Sequence, residues 1–219
     1  MKIENKVVYE YIEEYIRKVQ PKLDIELEAV RAQAEESHVP IIKPEVASLI
    51  HTLLAIKKPK RILEIGTAVG FSANLMCKYL VSDGEIITIE RNADMYKKAL
   101  ENIKKLKTEN KIKVIFGDAI EEMTKISGKF DVIFIDAAKG HYDTFYNDSL
   151  LLLAEEGMII ADNVLYKGLV ACEKDEIVRR HKTIHKRMRS FIDMIMNNPE
   201  FESTLIPVGD GIIISKKIG

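Results

Sequence analysis

The stretch Arg61-Ile62-Leu63-Glu64-Ile65-Gly66-Thr67-Ala68-Val69-Gly70 decides how the rest of the chain is read. Its first half is a short apolar run behind Pro59, the pattern of a strand buried on both faces of a parallel sheet. Two glycines among small residues follow, and then an apolar-periodic segment, 71–80, that predicts a helix. A strand that turns tightly through glycine into a helix is expected to leave backbone N–H groups free and to let a ligand approach closely. The spacing is Glu-x-Gly-x-x-x-Gly. Ala68 stands where the dinucleotide fingerprint Gly-x-Gly-x-x-Gly has its middle glycine. A carboxylate at the strand end, Glu64, suits a cationic ligand better than a pyrophosphate.

Working outward, strand and helix alternate with short connections. Strands are predicted over 61–65, 85–90, 112–116, 131–135 and 157–161, and helices over 71–80, 93–107, 119–127 and 142–153. That alternation predicts βαβ units and a mostly parallel sheet covered on both faces. Beyond it, a long amphipathic helix over about 175–197 leads to strands 203–208 and 212–216. They are joined by Gly209-Asp210-Gly211, a signal for an antiparallel hairpin at the sheet edge. Upstream, Ile3, Val7, Val8, Tyr11, Ile12, Tyr15, Ile16 and Val19 recur at helix spacing up to Pro21. Segment 23–36 is a second helix. Pro44 opens a third, with Val46, Leu49, Ile50, Leu53 and Leu54 on one stripe. The expectation is one α/β domain over 1–219, a Rossmann-like, mostly parallel seven-stranded sheet with a helical extension over 1–57 and a core over 58–219.

Composition narrows the class. An apolar share of 47% with 31% charged residues is that of a globular chain, and a formal net charge of −1 gives no global field for nucleic acid. Cys77 and Cys172 are far apart and form no metal or redox spacing. No secretory leader or membrane-spanning run is read, so a cytoplasmic protein without a membrane partner is expected.

Ligands of an open parallel sheet bind beyond the carboxyl ends of its strands. Five successive predicted strands deliver an acidic residue there: Glu64, Glu90, Asp118 in Gly117-Asp118-Ala119, Asp136, and Asp162 with Asn163. Singly, each reads as well as a helix cap or a solvated loop residue. Glu90 is placed to accept hydrogen bonds from two ribose hydroxyls, and Asp118 to cap a helix or receive an adenine amino group. S-adenosylmethionine, an adenosine with a sulfonium and an amino group, fits this set. Asp136, Asp162 and Asn163 are hard oxygen donors of the type Mg²⁺ or Ca²⁺ prefers, and no Cys/His set competes. Lys139, three residues after Asp136, is close enough to act as a general base, its pKa lowered by a neighbouring cation.

These words resemble the metal-dependent class I O-methyltransferases, the family of the catechol and caffeoyl-coenzyme A enzymes. The resemblance rests on Glu64-Ile-Gly-Thr-Ala-Val-Gly70, Glu90, Gly117-Asp118-Ala119, Asp136-Ala-Ala-Lys139 and Asp162-Asn163, and it runs over nearly the whole chain. Within the family, Glu36-Ser-His38-Val-Pro40-Ile, Asp162-Asn-Val-Leu-Tyr-Lys-Gly168-Leu-Val and Pro207-Val-Gly-Asp-Gly211 are most similar to bacterial tRNA 5-hydroxyuridine methyltransferases. The resemblance implies that Asp136, Asp162 and Asn163 hold Mg²⁺ and that Lys139 is the base. It implies that Glu90 binds the ribose, Asp118 and Ala119 meet the adenine, and Gly66, Thr67, Gly70 and Ser72 surround the methionine part, with Val39 to Ile41 closing over it. A homodimer is the expected assembly. Ala137 and Ala138 stand where catechol-type enzymes often carry bulky residues, which leaves a roomier mouth.

Two acceptors satisfy such a site. A catechol offers two vicinal hydroxyls, and 5-hydroxyuridine at the wobble position of a tRNA offers its 5-hydroxyl and 4-carbonyl. The tail favours RNA as a partner: Arg179, Lys182, Lys186 and Arg189 share one helix face at 100° per residue, opposite Ile177, Ile184, Met188, Phe191 and Ile195. Tyr166 and Lys167 are candidates to line the acceptor pocket. A catechol or caffeoyl-type acceptor is the alternative. An NAD(P)-dependent oxidoreductase is disfavoured by Ala68 and by the metal-type donors, and a non-catalytic RNA-binding module by Lys139.

Overall fold

A computed structural model describes residues 7–137, 139–173 and 177–218, with Lys139 described for its backbone alone. Three helices precede the sheet: α1 (Glu10–Val19), α2 (Ile25–Glu36) and α3 (Pro44–Lys57). The core then runs β1 (Arg61–Ile65), α4 (Phe71–Cys77), β2 (Glu85–Glu90), α5 (Ala93–Lys105), β3 (Ile112–Phe116), α6 (Ala119–Met123), β4 (Phe130–Ile135), α7 (Tyr142–Leu152), β5 (Leu153–Ala161), α8 (Lys182–Met196), β6 (Phe201–Ile206) and β7 (Ile212–Lys217). The sheet order is β3-β2-β1-β4-β5-β7-β6. The first five strands are parallel, and β7 pairs antiparallel with both β5 and β6. This is the seven-stranded, mostly parallel sheet with a closing hairpin that the sequence predicts.

The pleat sorts each strand's residues between two cores. Ile62, Val132, Phe134 and Ile160 face α2, α3 and α4, where Val30, Ile50, Leu54 and Phe71 are buried. Leu63, Ile133, Ile135 and Ile159 face α7 and α8, where Tyr142, Tyr146, Met188 and Phe191 are buried. Glu64 therefore turns toward the α4 face. Its register partner on β2 is Thr88.

Several boundaries move. β5 begins at Leu153 rather than 157, because Leu153 pairs with Phe130 across a register shift before Met158 pairs with Val132. The intervening Glu156 is left-handed (φ +56°). α8 begins at Lys182, after a single 3₁₀ turn, Arg179–His181; the predicted start at 175 lies outside the described residues, as does Ile3 at the other end. α1 buries no residue, and Tyr11, Tyr15 and Val19 stand in the open, so its tie to the body is polar. The Arg17 guanidinium donates to both oxygens of buried Glu45, and Lys43 donates to Glu13. No helix among the described residues is long and apolar enough to cross a membrane.

Candidate active site

Chain progression reverses between β1 and its neighbours β2 and β4, which opens a crevice beyond the carboxyl ends of these strands. A cavity of about 380 Å³ lies there, lined by Pro40, Ile41, Ile65, Gly66, Ala68, Ile89, Glu90, Arg91, Gly117, Asp118, Ala119, Asp136, Ala137, His141, Phe145 and Asn163. Its size falls in the range of about 300–1,000 Å³ usual for small-molecule sites. A wider groove of about 1,320 Å³ between α1 and α4 shares Pro40 and Ile41 with it. There Arg17, Arg31, Lys43 and Lys78 are already paired with Glu45, Glu28, Glu13 and Asp24.

The turn after β1 is shaped by contacts to its neighbours. Gly66 and Thr67 donate their N–H groups to the Ile89 carbonyl at 3.1 and 3.2 Å. Ala68, left-handed at φ +47°, donates to Glu90 Oε2 at 2.8 Å, and Gly70 to the Thr67 carbonyl at 2.8 Å. These four amides of the turn are therefore used within the protein, ahead of the first residue of α4, Phe71. Gly66 has φ +101°, and a Cβ there would overlap the Asp136 carbonyl oxygen. The absence of a side chain is what lets the ends of β1 and β4 meet.

Glu90 is 8% exposed and holds the turn from the β2 side. Its Oε1 accepts from the Asn92 N–H at 2.7 Å, while Oε2 accepts from Ala68. Each oxygen keeps a further acceptor site for a ligand hydroxyl. Glu64 is different. It is 0% exposed, lies beneath the cavity, and accepts from the Ser72 hydroxyl and, at 2.5 Å, from Thr88 Oγ1. Thr67 bonds Thr88 in turn at 2.6 Å. Burial pushes the Glu64 carboxyl up to about 8 against the pull of these hydroxyls, with Asp136 and Glu90 adding to the rise. Asp118 Oδ1 caps α6 through the Ile120 N–H at 3.0 Å, and Arg91 approaches Oδ2 at 3.8 Å, so capping and facing the cavity coincide.

At the ends of β4 and β5 two of the predicted metal donors, Asp136 and Asn163, meet, with Asp162 next to Asn163 in the chain. Asn163 Nδ2 donates to Asp136 Oδ1 at 3.0 Å, and Asp162 Oδ1 accepts from the Asn163 N–H at 2.7 Å. Asp162 is 2% exposed and Asn163 is left-handed at φ +60°. Among the described residues no three His, Cys, Asp or Glu side chains form a metal cluster, so this set is two carboxylates and an amide.

A family model described as O-methyltransferase matches residues 17–218. The chain belongs to the O-methyltransferase family. A caffeoyl-CoA O-methyltransferase of Mesembryanthemum crystallinum is 30% identical over 77% of this chain and 69% of its own length. A Staphylococcus aureus structure described provisionally as a caffeoyl-CoA O-methyltransferase superposes with a TM-score of 0.88, at 30% identity over 95% of this chain and 100% of that one. An O-methyltransferase of Bacillus cereus, solved in complex with SAH, gives 0.83 at 26% identity over 95% and 97%.

In this O-methyltransferase the cavity gathers Ile41, Gly66, Glu90, Asp118, Ala119, Asp136 and Asn163 of the residues singled out in the sequence. Val39 packs on the same core as Ile41 without lining the cavity, and Glu64, Thr67, Gly70, Ser72 and Asp162 stand behind the lining. The side chain of Lys139 and all of Ala138 lie outside the described residues. Tyr166 bonds His181 Nδ1 through its hydroxyl at 2.7 Å, and Lys167 is exposed. Arg179, Lys182 and Lys186 are exposed, whereas Arg189 turns inward to donate to the Val170 carbonyl at 3.0 Å. Sequence reasoning did not single out Arg91, His141 or Phe145. The signal was present: Arg91 follows the acidic end of β2, and His141 and Phe145 are four apart where α7 begins, on the side that meets the cavity.

Proposed function

We propose that the chain transfers the methyl group of S-adenosylmethionine to a hydroxyl oxygen that has a second oxygen on the neighbouring carbon, with Mg²⁺ or another divalent cation at Asp136, Asp162 and Asn163. The observation that carries this is the meeting, at the switch point, of Glu90 with the Asp136–Asn163 pair in a chain of this family. Glu90, Asp136 and Asp162 concentrate negative charge at one edge of the sheet, around a Glu64 carboxyl that burial keeps protonated, and this density favours cationic occupants. The hard oxygen donors fit a cation of the Mg²⁺ type. The SAH bound to the Bacillus cereus relative supports the methyl donor.

S-adenosylmethionine, when bound, supplies an electrophilic methyl group, and a divalent cation supplies charge that lowers the acceptor hydroxyl's pKa and orients it. The chain's own part is largely placement. Glu90 offers both carboxylate oxygens to ribose hydroxyls. Ile41, Ala119 and Phe145 give the adenine side apolar surface and limit water. Lys139, whose backbone opens the 3₁₀ turn Lys139–His141, takes the hydroxyl proton on Nζ.

A small catechol-type acceptor is supported by the relatives named for caffeoyl-coenzyme A. A second reading, 5-hydroxyuridine in the anticodon of a tRNA, is favoured by the exposed Arg179, Arg180, Lys182 and Lys186 on the turn into α8. The exposed Tyr9, Tyr11, Tyr15 and Val19 support a homodimer. Labelled S-adenosylmethionine offered with a simple catechol, with caffeoyl-coenzyme A and with tRNA from a strain lacking this gene separates the acceptors. Label on either small molecule is the expected result. Label on tRNA alone, lost in Lys182→Glu/Lys186→Glu, would replace it with the second reading.

A further inference from the structure

One buried phenol holds the end of β5, where the proposed donors Asp162 and Asn163 stand. Tyr142 opens α7, is 1% exposed, and donates its hydroxyl to the main-chain carbonyl of Asp162 at 2.7 Å. Burial pushes this phenol far up, and the carboxylates of Asp136 and Asp162 push it further, so it stays a neutral donor. The hydroxyl thus ties the start of α7 to the peptide of Asp162, one of the proposed ligands.

The sheet holds the same region by bonds of its own. The last ladder bond between β4 and β5 runs from the Asp162 N–H to the Ile135 carbonyl at 3.0 Å, while the Asp136 N–H turns the other way, to the Ile65 carbonyl of β1 at 3.0 Å. The phenol is held there by its ring, edge-on to Phe191 at 5.3 Å. Its place in the chain, directly after the Lys139–His141 turn, also fixes where the segment bearing the proposed base must end.

We propose that Tyr142 is a positioning residue whose hydroxyl fixes the main chain of Asp162 and Asn163, and through it the affinity of the divalent-cation site. The inference rests on the metal reading above. Partners that orient ligands from behind change metal affinity by about 10- to 100-fold when removed. The molecule contains its own control. Tyr146, one turn along α7, is equally buried and packs on the same Phe191 at 6.1 Å, but its hydroxyl accepts from Asn198 Nδ2 at 3.0 Å.

The test is Mn²⁺ binding by electron paramagnetic resonance on wild type, Tyr142→Phe and Tyr146→Phe, with SAH affinity and melting temperature measured beside it. Tyr142→Phe is expected to weaken Mn²⁺ binding by about tenfold or more while SAH affinity stays within about twofold. Tyr146→Phe is expected to lower the melting temperature without moving Mn²⁺ affinity. Equal Mn²⁺ affinity in wild type and Tyr142→Phe, or equal loss in both variants, overturns the positioning role and leaves the metal site standing. A wild type that binds no Mn²⁺ overturns the metal reading itself, and the inference with it. Should Tyr142→Phe not fold, 4-aminophenylalanine at this position keeps a donor toward the Asp162 carbonyl. It is expected to bind Mn²⁺ as wild type does, and a loss there overturns the role equally.

Discussion

Glu64 is enclosed on every side, and its protonation is coupled to folding. Its carboxyl stands near 8 in the folded chain and near the ordinary value once unfolded, because burial outweighs the two hydroxyls that favour the ionised form. A raised carboxyl contributes stability that is fully present below the unfolded pKa, about 4.5, and is lost as pH rises through about 8. The wild type is therefore expected to lose up to a few kcal/mol relative to Glu64→Gln between pH 5 and pH 9. Urea midpoints of the two proteins across that range check it; parallel curves would contradict the burial argument. Gly66 is the other decisive residue. Gly66→Ala combines a left-handed φ with overlap on the Asp136 carbonyl, and a loss of roughly 3 kcal/mol or more is expected in urea unfolding.

At the scale of elements, what could be read in the sequence is what short-range rules control. All five parallel strands end where the apolar runs end, and each end carries the acid expected of it. Asn92 illustrates why: its side chain accepts from the Asp94 and Met95 N–H groups and starts α5 directly after β2. Asn92→Ala is expected to cost about 1 kcal/mol, measured by thermal unfolding, with SAH affinity changed little. The start of β5 was illegible for a tertiary reason. Residues 154–156 read as the connection between a helix ending at 153 and a strand starting at 157, yet Leu153 is drawn into the ladder by Phe130 across a register shift. The start of α8 was misread because Ile177 continues the apolar stripe of the helix while the chain at 179–181 is still a 3₁₀ turn. Arg189 shows the same limit: periodicity put it on the basic face, but the Val170 carbonyl beside it draws the guanidinium inward.

For the whole molecule, the candidate site is the meeting of segments spread from Pro40 to Asn163. The sequence could name the acids at the strand ends because the sheet brings all such ends to one edge. It could not say which of them would face the cavity. Glu64 and Glu90 look alike in sequence and share one face of the sheet, but Glu64 stands one residue inside the end of β1, behind the lining, and Glu90 is the last residue of β2, in it. The exposed aromatic row on α1 belongs to this scale too. Light scattering is expected to give twice the 24.9 kDa chain mass, and Tyr11→Glu/Tyr15→Glu is expected to halve it. The decisive measurement is methyl transfer to a simple catechol with EDTA, then with Mg²⁺ restored, in wild type and Asp136→Ala. Transfer that EDTA abolishes, Mg²⁺ restores and Asp136→Ala lacks is the expected result. Transfer that continues undiminished in EDTA, at a rate Asp136→Ala shares, would contradict a cation-assisted reaction at these strand ends.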